Sequence, residues 1–224
     1  MSDELEYFKG SKNPKYFAKS LVHDLRFYQD NPFYFHPSGI WCFTGPQGSG
    51  KSLSATKCAK RLIRDYPGSI LVSNIALRNI DFPVIPFTDY SQIVTMDNGI
   101  YGIIFLIDEL HILWNSLESK KIPFEEMAAF CQMRKNRRII IGTSQVYGRI
   151  AKPIREQLKY VVLCRNYLKY LQVNTIVDPN GEDCSGESEG RLDGRVIGTE
   201  WFFHTPADYD SYDTLERISK IKRG

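Results

Sequence analysis

The stretch from residue 39 to residue 66 constrains the fold more than any other. The apolar run Ile40-Trp41-Cys42-Phe43 leads into Gly45-Pro46-Gln47-Gly48-Ser49-Gly50-Lys51-Ser52, and SATKCAKRLIRDY follows with apolar residues at helical spacing. A strand fit for burial must therefore become a helix through a loop that carries three glycines. Glycine lets the backbone curl inward until successive N–H groups point at one place, and an anion is what such a nest of donors holds. The loop matches G-x-x-x-x-G-K-[ST] in full. In that pattern the lysine reaches the outer phosphates of a nucleotide and the serine hydroxyl can ligate Mg²⁺. A helix from Gly50 to about Asp65 would add its positive N-terminal end. Gly45, Pro46, Gln47, Gly48, Ser49, Gly50, Lys51, Ser52 and Leu53 are thus the expected nucleotide-binding residues, with ATP and Mg²⁺ the expected cofactors. The guanine-reading pattern N-K-x-D does not occur in the sequence.

A chain of 224 residues holds one large domain, or one domain with a small appendage. Hydrophobic residues at 42% and aromatic residues at 13% suffice for a substantial core. The five cysteines are odd in number and lack C-x-x-C spacing, which argues against a disulfide framework or a zinc site. Cys42 and Cys164 fall in apolar strands and Cys58 and Cys131 in helical stretches, so all four are expected as buried thiols of a reducing cytosol. No signal peptide and no apolar run approaching eighteen residues is present, so no transmembrane segment is expected. No internal repeat is visible. Net charge is only +3, yet eleven Lys/Arg face three Glu between Lys120 and Arg165. Between Asp178 and Asp213 ten Asp/Glu face two Arg. A basic middle beside an acidic tail suggests one face for a polyanion and another for a different contact, or simply solvated helix faces.

Ahead of the glycine-rich loop, NPKYFAKSLVHDLRFYQD places Tyr16, Leu21, Leu25 and Tyr28 at helical spacing, and Asn31-Pro32 ends that helix. After it come the apolar run SILVSNIAL, a short helix DYSQIVTM, and GIIFLIDE, whose Ile103 to Ile107 are apolar without interruption, as in a central parallel strand. A helix PFEEMAAFCQMRKN precedes the fourth strand RRIIIGTSQ, and KYVVLCRN is the fifth. Strands alternating with helices make a parallel sheet between helix layers. KYLQVNTIVD and RVIGTEWFFH then read as a β-hairpin around the polar loop Pro179 to Gly194.

Asp108 and Glu109 close the third strand, at the edge where α/β sheets bind ligands. There Asp108 suits the Mg²⁺ shell and Glu109 suits the general base that activates the attacking water, although an acidic pair also caps helices. The fourth strand ends in Thr143-Ser144-Gln145, and Gln145 can both donate and accept at a γ-phosphate; turn chemistry is the alternative. Arg134, Lys135, Arg137 and Arg138 cluster before that strand, where they complement a helix dipole or send a guanidinium toward a neighbouring subunit's nucleotide.

These residues together resemble the FtsK–HerA superfamily of ring-shaped DNA-pumping ATPases. The resemblance is to its small viral members, the genome-packaging ATPases of membrane-containing icosahedral viruses and the zonular occludens toxin (Zot)-like assembly ATPases of filamentous phages. It covers roughly Gly39 to Arg165 and rests on GPQGSGKS, IIFLIDE, an arginine ahead of the fourth strand, and IIIGTSQ ending in Gln145. The tail YDSYDTLERI is also similar to phage Zot-like proteins. The resemblance implies an α/β, RecA-like (ASCE) P-loop NTPase with a mainly parallel sheet between helix layers, plus a C-terminal β-hairpin appendage. Its parts would be an N-terminal helical extension (1–38), the P-loop ATPase core (39–168), and C-terminal strands with an acidic tail (169–224). It further implies phosphate contact for Lys51, Mg²⁺ ligation by Ser52 and Asp108, water activation by Glu109, γ-phosphate sensing by Gln145, and an arginine finger acting in trans. Arg134 is the match for that finger and Arg137 the second choice. The implied activity is ATP-driven, sequence-non-specific DNA translocation by a homo-oligomeric ring, a hexamer, with a capsid or virion protein as a further partner. Zot-like proteins usually carry a transmembrane helix and this sequence has none, which favours packaging in the host cytoplasm or virion over export. A Zot-like morphogenesis and DNA-export ATPase and an AAA+-type replication ATPase are the alternatives. The latter usually appends a helical lid, where the sequence after Asn166 reads as strands.

Overall fold

The computed structural model describes residues 13–180 and 194–211, and the chain divides into two compact units, residues 1–34 and 35–224. In the first unit, α1 (Pro14–Asp30) forms where the apolar spacing places it. The Asn13 side chain accepts from the Lys15 N–H at 3.0 Å, and Pro14 occupies the first turn, where its missing N–H has no partner to lose. The Asn31 N–H closes the helix on the Phe27 carbonyl.

The second unit is built on one eight-stranded sheet. Its strands are β1 (Gly39–Thr44), β2 (Ile70–Ser73), β3 (Val84–Pro86), β4 (Ile103–Ile107), β5 (Arg138–Ser144), β6 (Leu158–Tyr167), β7 (Leu171–Asp178) and β8 (Arg195–Phe203). They lie in the order β3-β2-β4-β5-β1-β6-β7-β8. The first six are mutually parallel, and β7 and β8 join antiparallel. The expected hairpin therefore forms, and it continues the sheet from β6 through seven paired residues, Val161 to Tyr167. Helices α2 (Lys51–Asp65), α3 (Ser91–Thr95), α4 (Leu110–Leu113), α5 (Phe124–Cys131), α6 (Lys152–Arg155) and α7 (Pro206–Tyr209) complete the unit.

Strand β4 shows why both faces must be covered. Ile103, Phe105 and Ile107 pack into a cluster with Leu110, Trp114 and Phe130. Ile104 and Leu106 pack on the other face with Ala55, Ala59 and Ile63 of α2. All five β4 side chains are fully buried, which is the physical content of an uninterrupted apolar run. Strand β5 lies between β1 and β4, so the end of β5 emerges between the glycine-rich loop and the acidic pair.

Several local expectations are corrected. Helix α5 stops at Cys131, and residues 132–137 form successive turns, so Arg134, Lys135 and Arg137 do not stand on a helix end. Arg138 belongs to β5 and is buried, its guanidinium donating to the carbonyls of Ile93, Val94 and Met96. The basic stretch is consequently not one face: Arg138 points into the core, while Arg165 lies at the far end of the sheet, beside the glycine-rich loop. Cys131 is exposed rather than buried. Burial pushes the Cys164 and Cys58 thiols up to about 12, which keeps both protonated and unreactive. Strand β3 was not expected from sequence, since Pro83 precedes it and Pro86 is its last residue; an edge position tolerates the missing donor. Most of the loop Pro179 to Gly194 and of YDSYDTLERI lies outside the described residues.

Candidate active site

The glycine-rich loop runs from the end of β1 to the start of α2. Gly48 and Gly50 have φ of +77° and +81°, in the left-handed region that a side chain strains. No side chain caps α2, whose N-cap is Gly50, so the first helical amides keep their capacity for an anion. Lys51 is the first helical residue and is only 7% exposed. Its ammonium donates to the Pro46 carbonyl at 2.9 Å, which holds the charge over the loop. A cavity of about 600 Å³ opens between loop residues Thr44–Ser49 and Leu163–Tyr167 of β6, a size that suits a nucleotide.

Ser52 follows, and its hydroxyl donates to Asp108 Oδ1 at 3.1 Å. Asp108 stands just past β4, two strands from β1, yet the parallel register brings the two side chains together. The carboxylate also accepts from the Thr143 hydroxyl at the end of β5. Asn74, past the end of β2, clamps the Asp108 backbone: its Oδ1 accepts the Asp108 N–H at 2.8 Å and its Nδ2 donates to the Asp108 carbonyl at 3.2 Å. A hydroxyl and a carboxylate already in contact, at the mouth of a phosphate-shaped loop, are the oxygen donors Mg²⁺ takes alongside phosphate oxygens and water.

Glu109 adopts φ +57°, a left-handed conformation that costs a non-glycine residue on the order of 1 kcal/mol. The Thr143 hydroxyl accepts its N–H at 2.9 Å. Its carboxylate accepts from Gln145 Nε2 through Oε1 at 3.0 Å, while the buried Oε2 has no hydrogen-bond partner and lies 3.1 Å from His111 Nδ1. Ser144 Oγ is 3.3 Å from the same His111 nitrogen. Thus Lys51, Ser52, Asp108, Glu109 and Gln145 converge at the carboxyl edge of β1, β4 and β5.

Arg134 does not join them. It is exposed on the turn before β5, at the opposite end of a seven-residue strand, about 20 Å away along the sheet. Arg137 donates to the Gly99 carbonyl.

Sequence reading missed Asn74, His111, Gln172 and Asn174. His111 stands two residues beyond the acidic pair, and that placement was its only signal. Gln172 and Asn174 alternate with Leu171, Val173 and Thr175 in β7, and two amides on one strand face were a sign of polar burial.

No protein-family model and no curated protein sequence matches the chain. Among solved structures it is similar to the N-terminal domain of zonular occludens toxin from Neisseria meningitidis, at 13% identity over 79% of this chain and 99% of that one, with a TM-score of 0.54. It is also similar to a second solved ATPase domain, at 11% identity over 92% of this chain and 100% of that one, with a TM-score of 0.52. The genome packaging NTPase B204 from Sulfolobus turreted icosahedral virus 2 matches more loosely, at 14% identity over 57% of this chain and 74% of that one, TM-score 0.46. The fold and the phosphate loop define the class: a RecA-like P-loop ATPase fold with a mostly parallel sheet.

Proposed function

We propose that the protein is an ATP-driven motor that moves DNA without regard to sequence, acting as a homo-oligomeric ring of the genome-packaging type. The observation that carries the reading is the convergence of Lys51, Ser52–Asp108 and Glu109–Gln145 at the carboxyl edge of adjacent strands.

Lys51 would draw its ammonium from the Pro46 carbonyl to the β- and γ-phosphates. Ser52 and Asp108 would hold Mg²⁺, which supplies charge neutralisation between the phosphates. Glu109 takes a proton from the water in line with the γ-phosphate, and Gln145 holds water and phosphate in register. The same Gln145–Glu109 hydrogen bond ties the base down before nucleotide arrives, so a γ-phosphate that engages Gln145 would also release the base. Arg134 is too far from its own loop to serve it, which leaves a neighbour's nucleotide as its target and a ring as the arrangement that brings it there. Lys135, exposed on the same turn as Arg134, would add a phosphate contact for DNA.

The test is ATP hydrolysis by the purified chain with Mg²⁺, alone and with single- or double-stranded DNA. Hydrolysis stimulated by one DNA form is expected. Hydrolysis indifferent to both forms would remove the motor and leave an ATPase; none under any condition would remove both.

A further inference from the structure

Strand β7 brings two side-chain amides to the back of the phosphate loop. Gln172 and Asn174 lie two residues apart, so they share one face of the strand, and both are buried, Gln172 completely. Gln172 Nε2 donates to the Ser49 carbonyl at 2.9 Å and to Asn174 Oδ1 at 3.0 Å. Asn174 Nδ2 in turn donates to Ser54 Oγ on α2 at 3.1 Å. On the other side, Gln172 Oε1 is 3.3 Å from His204 Nε2, and His204 Nδ1 is 2.7 Å from the Tyr209 hydroxyl. A Cβ on Gly50 would fall 2.0 Å from Gln172 Oε1, so the loop and this amide are packed against each other.

The Ser49–Gly50 peptide is planar and trans, so its carbonyl and its N–H point in opposite directions. Drawing the Ser49 carbonyl toward Gln172 therefore turns the Gly50 N–H away from β7. Gly50 has no side chain with which to hold that orientation itself. An apolar side chain would fill the site without the cost of burying an amide, and the glutamine is instead held by two hydrogen bonds from its Nε2.

We propose that Gln172 is a positioning residue that sets the phosphate-loop amides, which makes the hairpin β7–β8 a working part of the nucleotide site. The proposal rests on the reading of Gly45–Ser52 as an ATP-binding loop. It also assigns a route by which the hairpin and the loop influence one another, through Gln172 on one side and His204 on the other.

Two variants test it on the full chain. Gln172→Met keeps the volume and removes the donor. In the nucleotide-free protein, amide hydrogen exchange over residues 45–52 should rise about tenfold, as one lost hydrogen bond implies, with β4 and β5 unchanged. ATP affinity with Mg²⁺ should fall by a similar factor. Gln172→Glu places a carboxylate against two acceptors, the Ser49 carbonyl and Asn174 Oδ1. With His204, 3.3 Å from the same side chain, replaced by Gln in both proteins so that only the new carboxyl titrates, its ATP affinity relative to the His204→Gln parent should recover from about pH 8 to about pH 5.5, because the protonated acid can donate where the anion cannot. A role in stability alone predicts a ratio flat with pH. Unchanged loop exchange and affinity in Gln172→Met, or a flat ratio in Gln172→Glu, overturns the proposal. Wild-type protein that binds no ATP, with loop exchange still responding to Gln172→Met, would sink the ATP reading and leave the positioning role standing. If Gln172→Met does not fold, the pH ratio of Gln172→Glu decides.

Discussion

Glu109 and Lys51 are a few strands apart and do different work, so their loss should read differently. Lys51→Ala removes a buried ammonium from the loop and should weaken ATP binding by at least about tenfold. Glu109→Gln keeps the shape of a residue whose part is played on water, so ATP should remain bound while turnover falls by about a hundredfold or more. Equal loss of binding in both, measured by nucleotide titration, would contradict these roles. At this scale the sequence was legible wherever chemistry follows chain order. Gly45–Ser52 is contiguous, and Asp108-Glu109 ends an apolar run that could only be a covered strand. His111 and Asn74 were illegible because their meaning comes from what folds against them: Asn74 clamps the Asp108 backbone from thirty-four residues away.

Elements carry their own tests. Helix α7 is one turn long, yet it is held in two ways: Thr205 and Asp208 form a reciprocal capping box, and Asp208 lies 3.3 Å from the Lys57 ammonium of α2. Burial alone would raise the Asp208 pKa, but hydrogen bonds from Thr205 and the charge of Lys57 outweigh it and hold the carboxyl below the usual carboxylate range. A depressed folded pKa stabilises the fold above the unfolded value, and that contribution is lost as pH falls through the folded pKa. Asp208→Asn should therefore cost about 0.5–1 kcal/mol at neutral pH. The melting difference from wild type should close as pH falls below about 4. A gap that persists undiminished in acid would mean that packing, not charge, holds α7. Strand and helix order were readable from the alternation of apolar runs and amphipathic stretches. Ends were not: α5 stops at Cys131, although Met133, buried three residues past Phe130, and the cations around it continue the look of a helix. The three-residue β3, preceded by one proline and ending in another, offered too little pattern to be seen.

For the whole molecule, the exposed Arg134 sets the prediction. Arg134→Ala should leave ATP binding intact and nearly abolish turnover, since arginine fingers contribute on the order of a thousandfold. A mixture of Arg134→Ala and Glu109→Gln chains should recover part of the activity, because some interfaces then pair an intact arginine with an intact base. Full turnover by Arg134→Ala alone would exclude the residue. Sequence order revealed the parallel core but not that the hairpin shares its sheet, for nothing in KYLQVNTIVD states which edge it will pair with. Strand β5 is hydrogen-bonded to β1 on one side and β4 on the other. A strand held along both flanks can neither stretch nor shear by itself. Its two ends, Arg138 beside the arginine turn and Ser144 beside Gln145, are therefore joined by a stiff rod, so a push on one end would reach the other as a tilt, the motion of a lever rather than of a spring.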